Sequence, residues 1–152
     1  MQYRTLNPAT EELIESYPVA IAEQLEGALD AAALAADGWR RTPIGDRAAR
    51  LEAAAAELQH RSVELAGIMA TEMGKPLDQG AAEADKCAWG CRYFAERAPR
   101  FLEPVSHTTD GSETFVRYDP LGPILAIMPW NFPFWQFFRF AAPALMAGNI
   151  VL

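Results

Sequence analysis

Residues 124–128 are an unbroken apolar run, Ile-Leu-Ala-Ile-Met, with Pro123 and Pro129 at its ends and Pro133 shortly after. A short apolar run of this kind suits a strand buried on both faces of a parallel sheet. Gly122 and Pro123 punctuate its start, and Pro129 ends it because proline cannot donate to a ladder. Pro133 suits the first turn of a helix, where a missing N–H is no loss. Trp130, Asn131 and Phe132 therefore fall on a strand-to-helix crossover. In open α/β sheets such crossovers, at the carboxyl ends of strands, bind ligands.

An asparagine at that point has a chemical use. Its NH2 group can be aimed at an oxygen that becomes negative during a reaction, and one preorganised donor contributes roughly 3–4 kcal/mol of transition-state stabilisation. The competing reading is a helix cap or Asx-turn, and spacing alone favours the cap.

The 152 residues suffice for one domain with a real core. Half the residues are apolar and 22% are charged, an ordinary globular composition. A net charge of −7 with no long basic run argues against nonspecific nucleic-acid binding. The first residues lack the apolar core of a signal peptide, and no apolar segment reaches membrane-spanning length. No membrane partner is expected, and a cytoplasmic location is the default. Cys87 and Cys91 are four residues apart in a helical pattern. His60 and His107 are not spaced to complete a metal site with them, so no metal is expected. Helical i,i+4 spacing is also poor for a disulfide. Both cysteines read as core packing.

From the N-terminus, 7–12 reads as a turn between two short extended pieces, the second at 13–19. Three amphipathic helices are expected next. Their faces are Leu25, Leu29, Ala32, Ala36, Trp39; then Leu51, Ala55, Leu58, Ser62, Leu65, Met69; then Cys87, Cys91, Phe94, Ala98, Phe101. Thr42-Pro43 is a plausible start for the second. Gly74 suits a left-handed helix end and Pro76 blocks continuation. Lys75 suits the negative end of the helix dipole, so the turn around it reads as structural. Pro99 and Pro104 break the helical region. A turn cluster at 108–112 leads into the largely alternating segment 113–118, which reads as a β-hairpin with one wet face. The helix opened by Pro133 runs to about 147, with Pro143 inside it as a possible kink and Gly148-Asn149 as its stop. Residues 150–152 begin another apolar strand.

On the helix after Pro133, Phe132, Trp135, Gln136 and Arg139 share a face, and Phe134, Phe138, Ala141 and Leu145 form a stripe suited to the core. Arg139 is out of place among aromatics unless an anion pairs with it, and a structural salt bridge or extension to solvent is the ordinary explanation.

Pro129-Trp130-Asn131-Phe132-Pro133, Ala142-Pro143-Ala144-Leu145 and Gly148-Asn149 together resemble the signature of the NAD(P)-dependent aldehyde dehydrogenase superfamily. Asn7-Pro8-Ala9-Thr10 and Glu72-Met73-Gly74-Lys75-Pro76 extend the likeness over essentially the whole chain. The wording around 134–143 resembles bacterial succinate-semialdehyde dehydrogenases.

The resemblance implies an α/β fold: N-terminal helices, a hairpin, and the start of a parallel-sheet dinucleotide-binding domain. Residues 1–152 would be its N-terminal part. The hairpin at about 104–119 would pair with a neighbouring subunit of a homo-oligomer. The cofactor would be NAD or NADP, bound without a G-x-G-x-x-G along Ile127, Met128, Pro129, Trp130 and Asn131. The substrate would be an aldehyde, with Phe132 and Trp135 walling its tunnel. Arg139, eight residues after Asn131, would hold the distal carboxylate of succinate semialdehyde.

In that chemistry a cysteine thiolate attacks the carbonyl, hydride leaves to the nicotinamide, and a glutamate activates the water that hydrolyses the thioester. Asn131 would serve the oxyanion. Neither cysteine lies in the matching nucleophile motif and no glutamate can be matched to the base. The expectation is thus a truncated chain, inactive alone. Other readings stay open at this point: dehydrogenase for another aldehyde, a non-catalytic oligomerisation or regulatory piece, or a stand-alone helical binding module.

Overall fold

The structure is a computed structural model and describes residues 2–152. It opens with an antiparallel hairpin, β1 (Gln2–Leu6) and β2 (Leu13–Pro18). Four helices follow: α1 (Ala22–Trp39), α2 (Ile44–His60), α3 (Ser62–Met73) and α4 (Leu77–Phe101). Next come a two-residue hairpin, β3 (Val105–Ser106) with β4 (Phe115–Val116), then β5 (Pro123–Ile124), α5 (Pro133–Met146) and β6 (Ile150–Val151). β5 and β6 pair in parallel across α5, which makes the βαβ opening of a parallel sheet.

The helix count corrects the sequence reading, which joined α2 and α3. The chain breaks at Arg61 (φ −99°, ψ 13°), and Arg61 is held by Glu64 on the first turn of α3. The apolar spacing passes through the break unchanged, so periodicity could not reveal it. Leu65, Ala66 and Met69 of α3 are buried, as are Leu51, Ala55 and Leu58 of α2. The face expected of α1 is only partly right: Ala32 and Ala36 are buried, but Leu25 and Leu29 are exposed. Trp39 closes that helix by donating from its indole N–H to the Leu145 carbonyl at 2.9 Å.

The central element is α4. Its buried residues are nearly all small: Gly80, Ala84, Cys87, Ala88, Gly90, Cys91, Ala95 and Ala98. Small side chains let α2, α3 and α5 approach it closely. A Cβ on Gly80 would meet the Ala66 Cα at 2.9 Å. Pro99 does not break this helix, as had been expected. It lies in the last turn, where loss of one hydrogen bond is tolerated. Likewise α5 runs on through Pro143.

The strand expected at 124–128 is corrected too. Only Pro123–Ile124 are strand, although the ladder reaches one step further, with Ala126 N–H donating to the Leu152 carbonyl at 2.8 Å. Leu125 and Ile127 are 70% and 86% exposed, not buried. A parallel strand is enclosed only when neighbours and helices cover both its faces, and β6 is its only strand partner among the described residues. The β3–β4 hairpin is present, but its residues are exposed on both faces.

Candidate active-site turn

The base of the turn is fixed from behind. Asn149 is 6% exposed; its carboxamide oxygen accepts from the Leu121 and Gly122 N–H groups at 2.7 and 3.2 Å, and its Nδ2 donates to the Ala144 carbonyl. Gly148 supplies the left-handed conformation (φ +89°) that ends α5 and returns the chain to β6. These contacts lock the start of β5 to the end of α5.

That loop holds the residues singled out in the sequence. Among the described residues no backbone hydrogen bond forms at Ile127, Met128, Pro129 or Trp130. Ile127 and Trp130 are among the most exposed large side chains, at 86% and 75%. Asn131 is exposed, and its carboxamide has no hydrogen-bond partner among the described residues. The capping reading favoured by spacing is therefore wrong. Phe132 is the residue at the cap (φ −136°, ψ 74°), and no side chain at that position caps.

The cap comes from another helix. A carboxylate oxygen of Glu83 on α4 accepts from the N–H groups of Phe134 and Trp135 at 3.0 and 2.9 Å. Its other oxygen is ion-paired to Lys75. Lys75 also donates to the Asn131 backbone carbonyl at 3.4 Å and stands 4.0 Å over the Phe132 ring. Glu83 and Lys75 are 4% and 7% exposed. Burying two charges is unfavourable unless each is fully hydrogen-bonded, and here the Glu83 carboxylate takes three donors. Removing one partner of such a pair typically destabilises by about 3–5 kcal/mol. Lys75 thus does not serve the end of its own helix, as its position after Gly74 suggested. Gly74 (φ 73°) turns the chain and Lys75 is aimed at α4 and the motif.

Sequence reasoning missed Glu83. A signal existed: Glu83 lies three residues after Gly80 and four before Cys87, on the apolar stripe of α4. A carboxylate on a buried stripe requires a partner.

Cavities flank the turn. One of about 260 Å³ is lined by Lys75, Gln79, Ala82, Glu83, Lys86, Phe132 and Trp135. Lys86 Nζ lies 4.2 Å over the Trp135 ring at its edge. A second, of about 430 Å³, has Trp130, Pro133 and Phe134 on one wall and residues of β1 and α3 on the other. Phe132 and Trp135 therefore meet across one cavity, as their shared face suggested. Arg139, one turn beyond Trp135, is exposed and lines neither cavity. No carboxylate lies within ion-pair distance of Arg139 among the described residues.

Cys87 and Cys91 sit in the helix core at 0% and 1% exposure. Burial, reinforced by the Glu83 charge, pushes the Cys87 thiol up to about 12; burial and the Glu52 charge push Cys91 up to about 11. Such thiols are protonated at neutral pH and poor nucleophiles. Among the described residues no cluster of His, Cys, Asp or Glu could hold a metal, and no helix is long and apolar enough to cross a membrane.

The chain is 44% identical over 155 aligned residues to the succinate-semialdehyde dehydrogenase (NADP+) of Mycobacterium leprae, covering all of this chain and 34% of that protein. It is 43% identical to the succinate semialdehyde dehydrogenase (NAD(P)+) Sad of Escherichia coli K12, covering 95% of this chain and 31% of that one. It superposes with a TM-score of 0.92 and 32% identity on the crystal structure of succinic semialdehyde dehydrogenase from Streptococcus pyogenes in complex with NADP+, over 98% of this chain and 33% of that one. The chain thus spans about a third of the length of the curated relatives it matches. Residues 1–152, the whole of the sequence, match the aldehyde dehydrogenase family, and the chain belongs to that family.

Proposed function

We propose that residues 1–152 carry the oxyanion donor and part of the cofactor and substrate surfaces of an NAD(P)-dependent dehydrogenase that oxidises succinate semialdehyde to succinate. The observation that carries this reading is the Asn131 carboxamide. It is exposed, without a partner, and next in the chain to Phe132, which with Trp135 lines a cavity of about 260 Å³. A donor that the protein itself leaves unused is available to a developing oxyanion.

The unpaired backbone at 127–130 suits a flat ligand lying along it, and these residues with Asn131 would hold the nicotinamide end of NAD or NADP. Bound there, the nicotinamide supplies the hydride acceptor. Phe132 and Trp135 exclude water from the carbon chain of the aldehyde. Arg139, exposed and free of carboxylates, is the cation for the far carboxylate of the substrate. The buried thiols Cys87 and Cys91 are not the nucleophile. The reactive thiolate and the base that activates water are assigned to other parts of the enzyme.

The exposed apolar side chains of the β3–β4 hairpin, Val105, Phe115 and Val116, support its use as a contact between subunits of a homo-oligomer. The free, buried thiols suit a reducing compartment such as the cytoplasm.

The test is Asn131→Ala in the complete enzyme. Turnover should fall about 100- to 1,000-fold with little change in cofactor affinity. Unchanged turnover removes the oxyanion assignment.

A further inference from the structure

Two residues distant in sequence, Lys75 and Glu83, converge on the motif turn in a way that helix capping alone does not require. A helix start needs an acceptor, and one exposed Ser, Thr, Asp or Asn at the cap position would supply it. Here the acceptor is a buried carboxylate from α4, and it is tied to a buried ammonium. That ammonium reaches past the cap to the Asn131 carbonyl and lies over the ring of the next residue, Phe132. The pair thus holds the backbone on the C-terminal side of the functional carboxamide: the carbonyl of Asn131 itself, and the N–H groups of Phe134 and Trp135 just beyond it. The Asn131 side chain is left free of protein partners. The point from which it projects is therefore set by its backbone, whose carbonyl Lys75 reaches and whose following turn Glu83 caps.

We propose that Glu83, acting with Lys75, is a positioning residue for the Asn131 oxyanion donor. The proposal rests on the role of Asn131 advanced above. Charge is necessary on both partners. A neutral amide at 83 offers one acceptor oxygen where the carboxylate has two, so it cannot serve the two N–H groups of α5 and Lys75 together. An angular drift of the turn misaligns the donor with the oxygen it serves, and a misplacement of about 1 Å lowers the rate about 100-fold.

The test uses the complete enzyme and a double-mutant cycle. A single Glu83→Gln exchange leaves Lys75 buried without its counter-ion and can unfold the chain, so the main variant is the neutral pair Glu83→Leu/Lys75→Met, which also removes the acceptor of the two α5 N–H groups. It is compared with Asn131→Ala and with the combination of all three changes. Thermal unfolding and NADP+ binding provide the check that each protein is folded.

The expected result is a loss of about 10- to 100-fold in kcat for the neutral pair, with aldehyde KM changed little. In the Asn131→Ala background the same pair should change kcat by less than about twofold, because the group it positions is gone. A purely structural role gives the same factor in both backgrounds, and that result overturns the proposal. So does a folded neutral pair with normal kcat. If Asn131→Ala lowers kcat while the neutral pair does not, this proposal alone falls. If Asn131→Ala leaves kcat unchanged, the oxyanion reading falls and takes the positioning role with it.

Discussion

Asn131 and Arg139 differ in what their surroundings say. Asn131 is held by its backbone and free at its carboxamide. Arg139 extends to solvent, one of the two ordinary explanations the sequence offered, and has neither a carboxylate partner nor a place on a cavity wall. If it holds the substrate carboxylate as proposed above, Arg139→Leu should raise KM for a carboxylated aldehyde at least about tenfold, the size of one charge-assisted hydrogen bond. KM for a neutral aldehyde of equal length should hardly move; equal effects on the two substrates would remove the assignment. The cysteines give a pH prediction. Both thiols sit above their ordinary value of 9.0 in the folded chain. The folded state then keeps protons that the unfolded state releases, so stability is full below about pH 9 and falls as pH climbs toward 11 and 12. The slope approaches about 1.4 kcal/mol per pH unit for each thiol. Denaturant midpoints between pH 8 and 10.5 would show the fall, and a Cys87→Ala/Cys91→Ala variant should flatten it. At neutral pH neither thiol should react with a maleimide until the chain is unfolded.

At the scale of elements, α4 organises the rest through small residues. Gly80 on α4 and Gly67 on α3 provide a paired test of this. A methyl group at Gly80 would press on the Ala66 backbone at 2.9 Å, whereas a Cβ at Gly67 meets nothing within 4 Å. Overpacking costs about 1–3 kcal/mol, against a gain of roughly 1 kcal/mol in helix propensity for Gly→Ala. Gly80→Ala should therefore lower Tm and Gly67→Ala should raise it, although both replace a helical glycine with alanine. If both raise Tm, the close contact between α3 and α4 is not limiting. The split between α2 and α3 belongs to the same packing. The bend at Arg61 lets two helices with one continuous apolar register use different stretches of α4.

For the whole molecule, the informative surface is apolar. Leu121, Leu125 and Ile127 along the β5 region are 89%, 70% and 86% exposed, and the β3–β4 hairpin is open on both sides. A two-stranded ribbon is marginal on its own, so the hairpin needs something to pack on. In the complete enzyme, Phe115→Asp with Val116→Asp should shift the assembly toward smaller species in light scattering while leaving the helices folded by circular dichroism. An unchanged mass would return the hairpin to its own domain.

Local chemistry was legible in the order of residues. The apolar stripes, Gly74 and Gly148 at helix ends, Pro133 at a helix start and the two turn clusters depend on neighbours within a few positions, where backbone preference decides. Packing was not legible. The break at Arg61 leaves periodicity intact, and the exposure of Leu125, Ile127 and Met128 depends on which strands lie alongside. The cap on α5 comes from a carboxylate 51 positions away along the chain. Contacts of that range carry no sequence period. They arise only when α4 lies across the start of α5, and from there a buried ion pair, not a local turn residue, sets where the carboxamide of Asn131 stands.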